Sequence, residues 1–159
     1  MREVPLKASS DLRSPEVERT SLIPRQFHVL FVCVENAGRS QMAEAFARRK
    51  GLQAESAGTV PAASVNPTVV EAMGEKAFNF AFKKPKMLTM EMIDQADIVV
   101  TMGCSVEEVC PRPMLVKMQK KLVDWNLEDP KGRPLPEVRK IRNEIERKVE
   151  DLTRSLQSS

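Results

Sequence analysis

Residues 27–49, reading FHVLFVCVENAGRSQMAEAFARR, constrain the fold of this chain more than any other stretch. They open with an apolar run, Val29, Leu30, Phe31 and Val32, which predicts a buried strand. Cys33 follows at once, then Val34, Glu35, Asn36, Ala37 and Gly38, then Arg39 and Ser40. A helical pattern carrying Met42, Ala43, Ala45 and Phe46 comes next. Strand, short loop and helix in that order build an oxyanion site, because loop N–H groups and the helix N-terminus present positive charge to one point. Gly38 can take the dihedrals such a loop needs. Arg39 offers a planar fork matched to a tetrahedral oxyanion such as phosphate or arsenate. Cys33 sits at the focus, a setting in which a cysteine reacts as its thiolate. Ser40 can add a hydrogen bond to the sulfur. Cys-x5-Arg alone is a weak pattern, and the plain alternative is a small buried cysteine near a surface arginine. Here strand, glycine, arginine, serine and helix arrive in the order the motif requires.

A chain of 159 residues is long enough for one domain with a real core. Its net charge of +3 is too small to argue for nucleic acid, and no clustered basic-aromatic surface supports one. No segment is long and apolar enough to span a membrane. The N-terminus lacks the apolar core of a signal peptide and mixes acids with bases, so a cytoplasmic location is expected. Three cysteines are too few for a disulfide scaffold and read as chemistry or filler in a reducing compartment. Residues 1–26 hold Pro5, Pro15, Pro24 and nearly balanced charge with little periodicity. They read as a loosely held extension with at most one short helix over 15–22, ahead of a domain spanning 27–156.

Along that domain, Gly51 is placed to end the first helix. Residues 53–57 suggest a short strand running into Ser56-Ala57-Gly58-Thr59 and a Pro61 turn. Asn66-Pro67 starts a helix reaching about Lys76, with Val69, Val70, Ala72 and Met73 as its apolar face. Residues 83–87 read as polar loop, and Thr89 can cap a short helix holding Met92 and Ile93. Residues 97–102 predict another buried strand, 105–109 a single helical turn, and 120–125 the last strand. Residues 135–156 form an amphipathic helix with Val138, Ile141, Ile145, Val149 and Leu152 on one stripe. Strands alternating with helices predict a parallel α/β sandwich. In such sheets ligands bind beyond the carboxyl ends of the strands. Cys33 and Cys104 each follow a strand end, so both are expected on one rim.

Cys104 and Cys110 stand in GCSVEEVCP. They read as two ordinary buried thiols, as metal ligands, or as a redox pair. Zinc has poor ligand spacing here, since the lone His28 sits inside an apolar strand pattern. Bonding the pair makes a physical demand. Six helical residues separate Cα atoms by roughly 9 Å, beyond the roughly 7 Å a disulfide spans, so the segment between them must unwind. Asp129-Pro130, followed by Gly132, marks an exposed loop whose carboxyl can protonate a leaving oxygen if it folds over Cys33. Asp124 and Glu128 compete for that role. Arg112, Lys117, Lys120 and Lys121 read as a solvated basic run, with anion steering as a lesser role.

Taken together, CVENAGRSQMAEAF, SAGT, VNPTVVEAM, KPKMLTMEMI, ADIVVTMGC, DWNLEDPKG and VRKIRNEIERKV resemble the thioredoxin-coupled arsenate reductases of the low-molecular-weight protein tyrosine phosphatase superfamily. The resemblance runs in order over about residues 27–150. It implies an α/β/α sandwich with a four-stranded parallel sheet. It also implies roles. Cys33 attacks arsenate held by the loop amides of residues 34–39 and by Arg39, and Asp129 protonates the departing oxygen. Cys104 then attacks the Cys33–arsenic adduct, releasing arsenite, and Cys110 moves the disulfide to Cys104–Cys110 at the surface for thioredoxin to reduce. Phosphate and sulfate are implied as competing anions, and Asn36 matches the asparagine that braces the family's loop. Some relatives bind potassium near this loop, and Asn36, Glu44 and Ser56 are the matching oxygens, with the Lys86 ammonium as a substitute for the ion. Two departures stand out: Glu35 puts an acid beside an anion pocket, and Gly38 replaces the usual second loop cysteine.

The competing reading is a phosphomonoesterase using Cys33, Arg39 and Asp129 for covalent phosphoryl transfer. It leaves Cys104 and Cys110 without a use. Lys131-Gly132 also stands where tyrosine phosphatases of this fold place aryl-binding tyrosines. A non-catalytic redox sensor or oxyanion-binding module explains the thiols but leaves Asp129-Pro130 idle.

Overall fold

The computed structural model describes residues 27–103 and 110–157. The expected extension over 1–26, the helical turn over 105–109 and the position of Cys104 lie outside the described residues. Four strands, β1 (His28–Cys33), β2 (Gln53–Gly58), β3 (Ile98–Thr101) and β4 (Leu122–Asp124), form one parallel sheet in the order β2-β1-β3-β4. β1 is central because it is apolar on both faces. Val29, Phe31 and Cys33 point to one side, and Leu30 and Val32 to the other, all buried.

The helices divide between those faces. On the first, α1 (Arg39–Arg49), α2 (Pro67–Gly74) and α5 (Leu135–Gln157) pack on Val29, Phe31, Ala54 and Val100 through Met42, Phe46, Val69, Met73, Ile141 and Ile145. On the second, α3 (Met90–Gln95) and α4 (Arg112–Met118) cover Leu30, Val32, Ala57 and Val99 with Ile93 and Met118. This is the α/β/α sandwich the sequence predicted. The β1–β2 connection leaves β1 on one side and β3 lies on the other. The ends of β1 and β3 therefore flank a crevice where the strand order reverses.

Several boundaries follow the local chemistry foreseen. Gly51, at φ 95°, closes α1 with its N–H on Arg48 O. Asn66 accepts the Thr68 N–H at 2.9 Å, and Pro67 opens α2. Thr89 caps α3 through the Met92 N–H at 3.2 Å. The basic run is on the surface as expected, with Arg112 and Lys117 exposed, and Arg112–Met118 is a helix the sequence did not predict: Pro113 sits in its first turn, where a missing N–H costs nothing. Lys121 Nζ donates to Ile93 O and Ala96 O, tying down the end of α3, and Lys117 pairs with Asp94. The last strand is also shorter than expected, Leu122–Asp124. Among the described residues no helix is long and apolar enough to cross a membrane.

Candidate active site

Between Cys33 and Arg39 the chain makes a tight loop whose carbonyls all turn outward. Thr59, Val60, Ala62, Asn66 and Met42 donate their N–H groups to the carbonyls of Cys33, Val34, Glu35, Ala37 and Gly38, and Gln41 Nε2 reaches Asn36 O. A trans peptide places each carbonyl opposite the next N–H. With the carbonyls out, the amides from Val34 to Arg39 face inward. One of them is seen doing so: the Asn36 N–H donates to Cys33 Sγ at 3.2 Å. No side chain caps the N-terminus of α1 and no acid stands in its first turn. Its amides are thereby left to an anion.

Asn36 is the brace. Its φ of 52° suits asparagine better than most residues. Its Nδ2 donates to Ser40 Oγ at 2.7 Å, and its Oδ1 accepts the Lys86 N–H at 2.8 Å and Gln41 Nε2 at 3.0 Å. Ser40 Oγ in turn lies 2.9 Å from Cys33 Sγ. Since Asn36 already donates to that oxygen, the hydroxyl proton is free to point at the sulfur. Gly58 completes the support, because a Cβ there would lie 2.6 Å from Val34 O.

Arg39 is 6 % exposed, and its NH1 is fixed by Met102 O at 2.8 Å and Leu127 O at 2.9 Å. Its NH2 lies 3.7 Å from Asp129 Oδ2. Asp129 heads a second loop that leans on the first, for a Cβ on Gly38 would stand 2.9 Å from Pro130 Cγ. Cys33, Arg39, Asp129, Gly103 and the 64–67 segment line a common cleft of about 720 Å3. Of the three carboxylates considered as acid, only Asp129 lines it. Asp124 accepts from Thr101 Oγ1 and the Gly103 N–H, and Glu128 pairs with Arg133.

The acid beside the anion pocket is answered by Lys131, a pairing the sequence did not foresee. Glu35 Oε2 is 2.9 Å from Lys131 Nζ. Hydrogen bonding to Glu35 pushes the Lys131 ammonium's pKa up and keeps it charged. Gln41, which bridges Asn36 to Lys84 O, was missed as well. Neither contact has a local signal.

The oxygens of the potassium set have partners within the chain. Asn36 Oδ1 already has two donors, Glu44 Oε1 accepts the Ser56 hydroxyl at 2.6 Å, and Arg48 meets Glu44 Oε2 at 3.2 Å. The contact of Lys86 with this set runs through its peptide N–H. Cys110, expected at the surface once it is bonded to Cys104, is buried as a free thiol. It is 7 % exposed, packed with Leu30, Val32 and Met118 on the sheet face opposite Cys33, and burial pushes its thiol pKa up. His28 opens β1, its N–H on Asp97 Oδ2.

Comparison with known proteins converges on the same fold. The chain matches the low molecular weight phosphotyrosine protein phosphatase model over residues 28–159. It is 41% identical over 130 residues to a Halobacterium salinarum protein named "Putative arsenate reductase", covering 77% of this chain and 87% of that one. Its structure is similar to the YwlE arginine phosphatase from Geobacillus stearothermophilus, with a TM-score of 0.74, 27% identity, and 83% and 94% of the two chains covered. It is also similar to a thioredoxin-dependent arsenate reductase from Corynebacterium glutamicum, with a TM-score of 0.67, 35% identity, and 84% and 63% covered. With that family match spanning the sheet, the helices and the cleft, the chain belongs to the low molecular weight phosphotyrosine protein phosphatase family.

Proposed function

We propose that this protein is an arsenate reductase that spends thiols rather than a bound cofactor. The observation that carries the reading is the position of Gly103 on the same cleft as Cys33, Arg39 and Asp129. Cys104 follows Gly103 in the sequence, so the chain carries a second thiol next to a residue that lines the site. Similarity to proteins named as arsenate reductases supports the choice of anion.

In the first step the Cys33 thiolate attacks arsenic while the inward amides and Arg39 hold the other oxygens. The departing oxygen takes a proton from Asp129 and leaves as water. Cys104 then attacks Cys33 Sγ. The sulfur–arsenic bond breaks toward arsenic, which becomes arsenite with two electrons, and a Cys33–Cys104 disulfide forms. Cys110 attacks Cys104, freeing Cys33, and an external dithiol such as thioredoxin reduces the resulting bond. That third step requires Cys110 to leave its apolar packing, so the segment before it must rearrange during turnover. No step runs through a metal ion.

The test is arsenate-dependent NADPH consumption in the presence of thioredoxin and thioredoxin reductase. Cys104→Ser should abolish it and leave p-nitrophenyl phosphate hydrolysis intact, because that reaction needs only Cys33, Arg39 and Asp129. Undiminished arsenate reduction by the variant would eliminate the relay. The phosphatase reading has one observation of its own, the likeness to the YwlE arginine phosphatase. Brisk phosphoester turnover without any arsenate response would decide for it.

A further inference from the structure

One contact at the mouth of the cleft has no part in that chemistry. The Glu35–Lys131 ion pair joins the anion loop to the acid loop across 96 positions of sequence, and both residues line the cleft. Lys131 works at both its ends: its N–H donates to Asp129 Oδ1 at 3.0 Å, while its ammonium holds Glu35 at 2.9 Å. Beneath it, Pro130 rests on Gly38. The two loops are thus tied twice, by a steric contact inside and by a charge contact at the rim.

We propose that Glu35 and Lys131 form a charge latch that sets substrate specificity, admitting a free tetrahedral oxyanion and obstructing the organic substituent of a phosphomonoester. The geometry gives the reason. A free oxyanion turns only a bare oxygen toward Asp129 and the mouth, its other oxygens lying in the cradle of amides and Arg39. An ester must send one oxygen, with its carbon group, outward through the mouth where the pair stands. The charges also balance. Glu35 alone would repel an incoming anion, and Lys131 removes that penalty only while the two are joined. The side chains are 39% and 69% exposed, so the pair is screened and opens readily. The latch therefore discriminates modestly. This inference deepens the proposed function, resting on it only for which oxyanion is turned over.

The experiment compares wild type with Glu35→Gln, Lys131→Gln and the exchanged pair Glu35→Lys/Lys131→Glu. Two quantities are measured for each: kcat/KM for p-nitrophenyl phosphate and the inhibition constant of inorganic phosphate. The product of the two reports ester preference over free anion. Each single variant should raise this product about fivefold, the limit of an exposed pair, and the exchange should return it to near the wild-type value. Raising the salt concentration should do to the wild type what Glu35→Gln does, and should leave that variant's product unchanged. An unchanged product in both single variants, or an exchanged pair that behaves like the sum of the singles, overturns the latch. Neither assay uses arsenate or a reductant. Loss of the reductase reading would thus leave this result interpretable, and the reverse.

Discussion

Cys33 and Cys110 are almost equally buried, 3% and 7% exposed, yet they lie in opposite kinds of surroundings. Around Cys33 the neighbours are donors: the Asn36 N–H, the Ser40 hydroxyl, and Arg39 on the same cleft. Around Cys110 they are Leu30, Val32, Ile93 and Met118. Burial alone therefore says little about a thiol. What faces the sulfur decides whether it is prepared for reaction or kept out of it. One sheet separates the two, and the proposed relay needs the second thiol to cross from storage into use.

The largest effect should come from the prepared side. Cys33→Ser is expected to remove both arsenate reduction and ester hydrolysis, by on the order of 10^4-fold or more. Measurable turnover of either in that variant would mean another residue is the nucleophile. Cys110→Ser sharpens the contrast from the other face. It should stop continuous turnover but still release about one arsenite per enzyme in a rapid-mixing burst, since only regeneration is lost. Native alkylation should agree. Iodoacetamide near pH 8 should modify Cys110 far more slowly than an exposed cysteine, because the raised pKa leaves little thiolate. Arsenate added beforehand, without a reductant, should protect Cys110 altogether, because the relay leaves it in the Cys104–Cys110 disulfide.

Much of the prepared side was legible in sequence, and the stored side was not. The apolar run, Gly38, Arg39 and Ser40 lie within a dozen residues of one another, and a loop–helix junction needs only local chemistry to form. The caps at Asn66 and Thr89 were readable for the same reason, whereas Asn36 as the brace came from the family resemblance. The Glu35–Lys131 pair joins residues brought together only by the finished fold. Gly58 was seen as a strand end, but the approach of Val34 O that makes its missing Cβ necessary comes from strand register. On the other face, α4 was not foreseen, because its basic residues gave only a solvent-facing surface. Its apolar side, Met114, Leu115 and Met118, has meaning only once Leu30 and Val99 lie beneath it. The burial of Cys110 is a consequence of that packing, so no spacing rule could place it.

Asn36→Ala tests how far the preparation depends on one residue. The substitution strands the Lys86 N–H, takes one of three acceptors from Gln41 Nε2 and puts alanine at a left-handed φ. Orphaned donors of this kind cost about 1–3 kcal/mol. A melting point about 4–12 °C lower is expected if the region unfolds with the rest of the domain. Activity should fall with it, through kcat for both arsenate and p-nitrophenyl phosphate. A stable, fully active variant would show that the outward carbonyls hold the loop without the brace.

The smallest effect lies furthest from either sulfur and tells the two faces apart by pH. Glu75, just past α2, is gripped by Arg139 and Arg142 of α5. Those hydrogen bonds lower its pKa from 4.5 to about 2. A carboxylate depressed in the folded state contributes stability that is complete above its unfolded pKa, 4.5, and is lost as pH falls through about 2. Acid should therefore loosen the α2–α5 contact, on the side that carries Cys33 and the 64–67 wall of the cleft. Hydrogen exchange between pH 4.5 and 2, corrected for intrinsic rates, should show α2 and α5 amides losing protection before those of α3 and α4. In Glu75→Gln the acid-dependent part of that difference should vanish, since the amide has no proton to gain. If the α3 and α4 face opened first in the wild type, the clamp would not be what holds the reactive half of the molecule together at low pH.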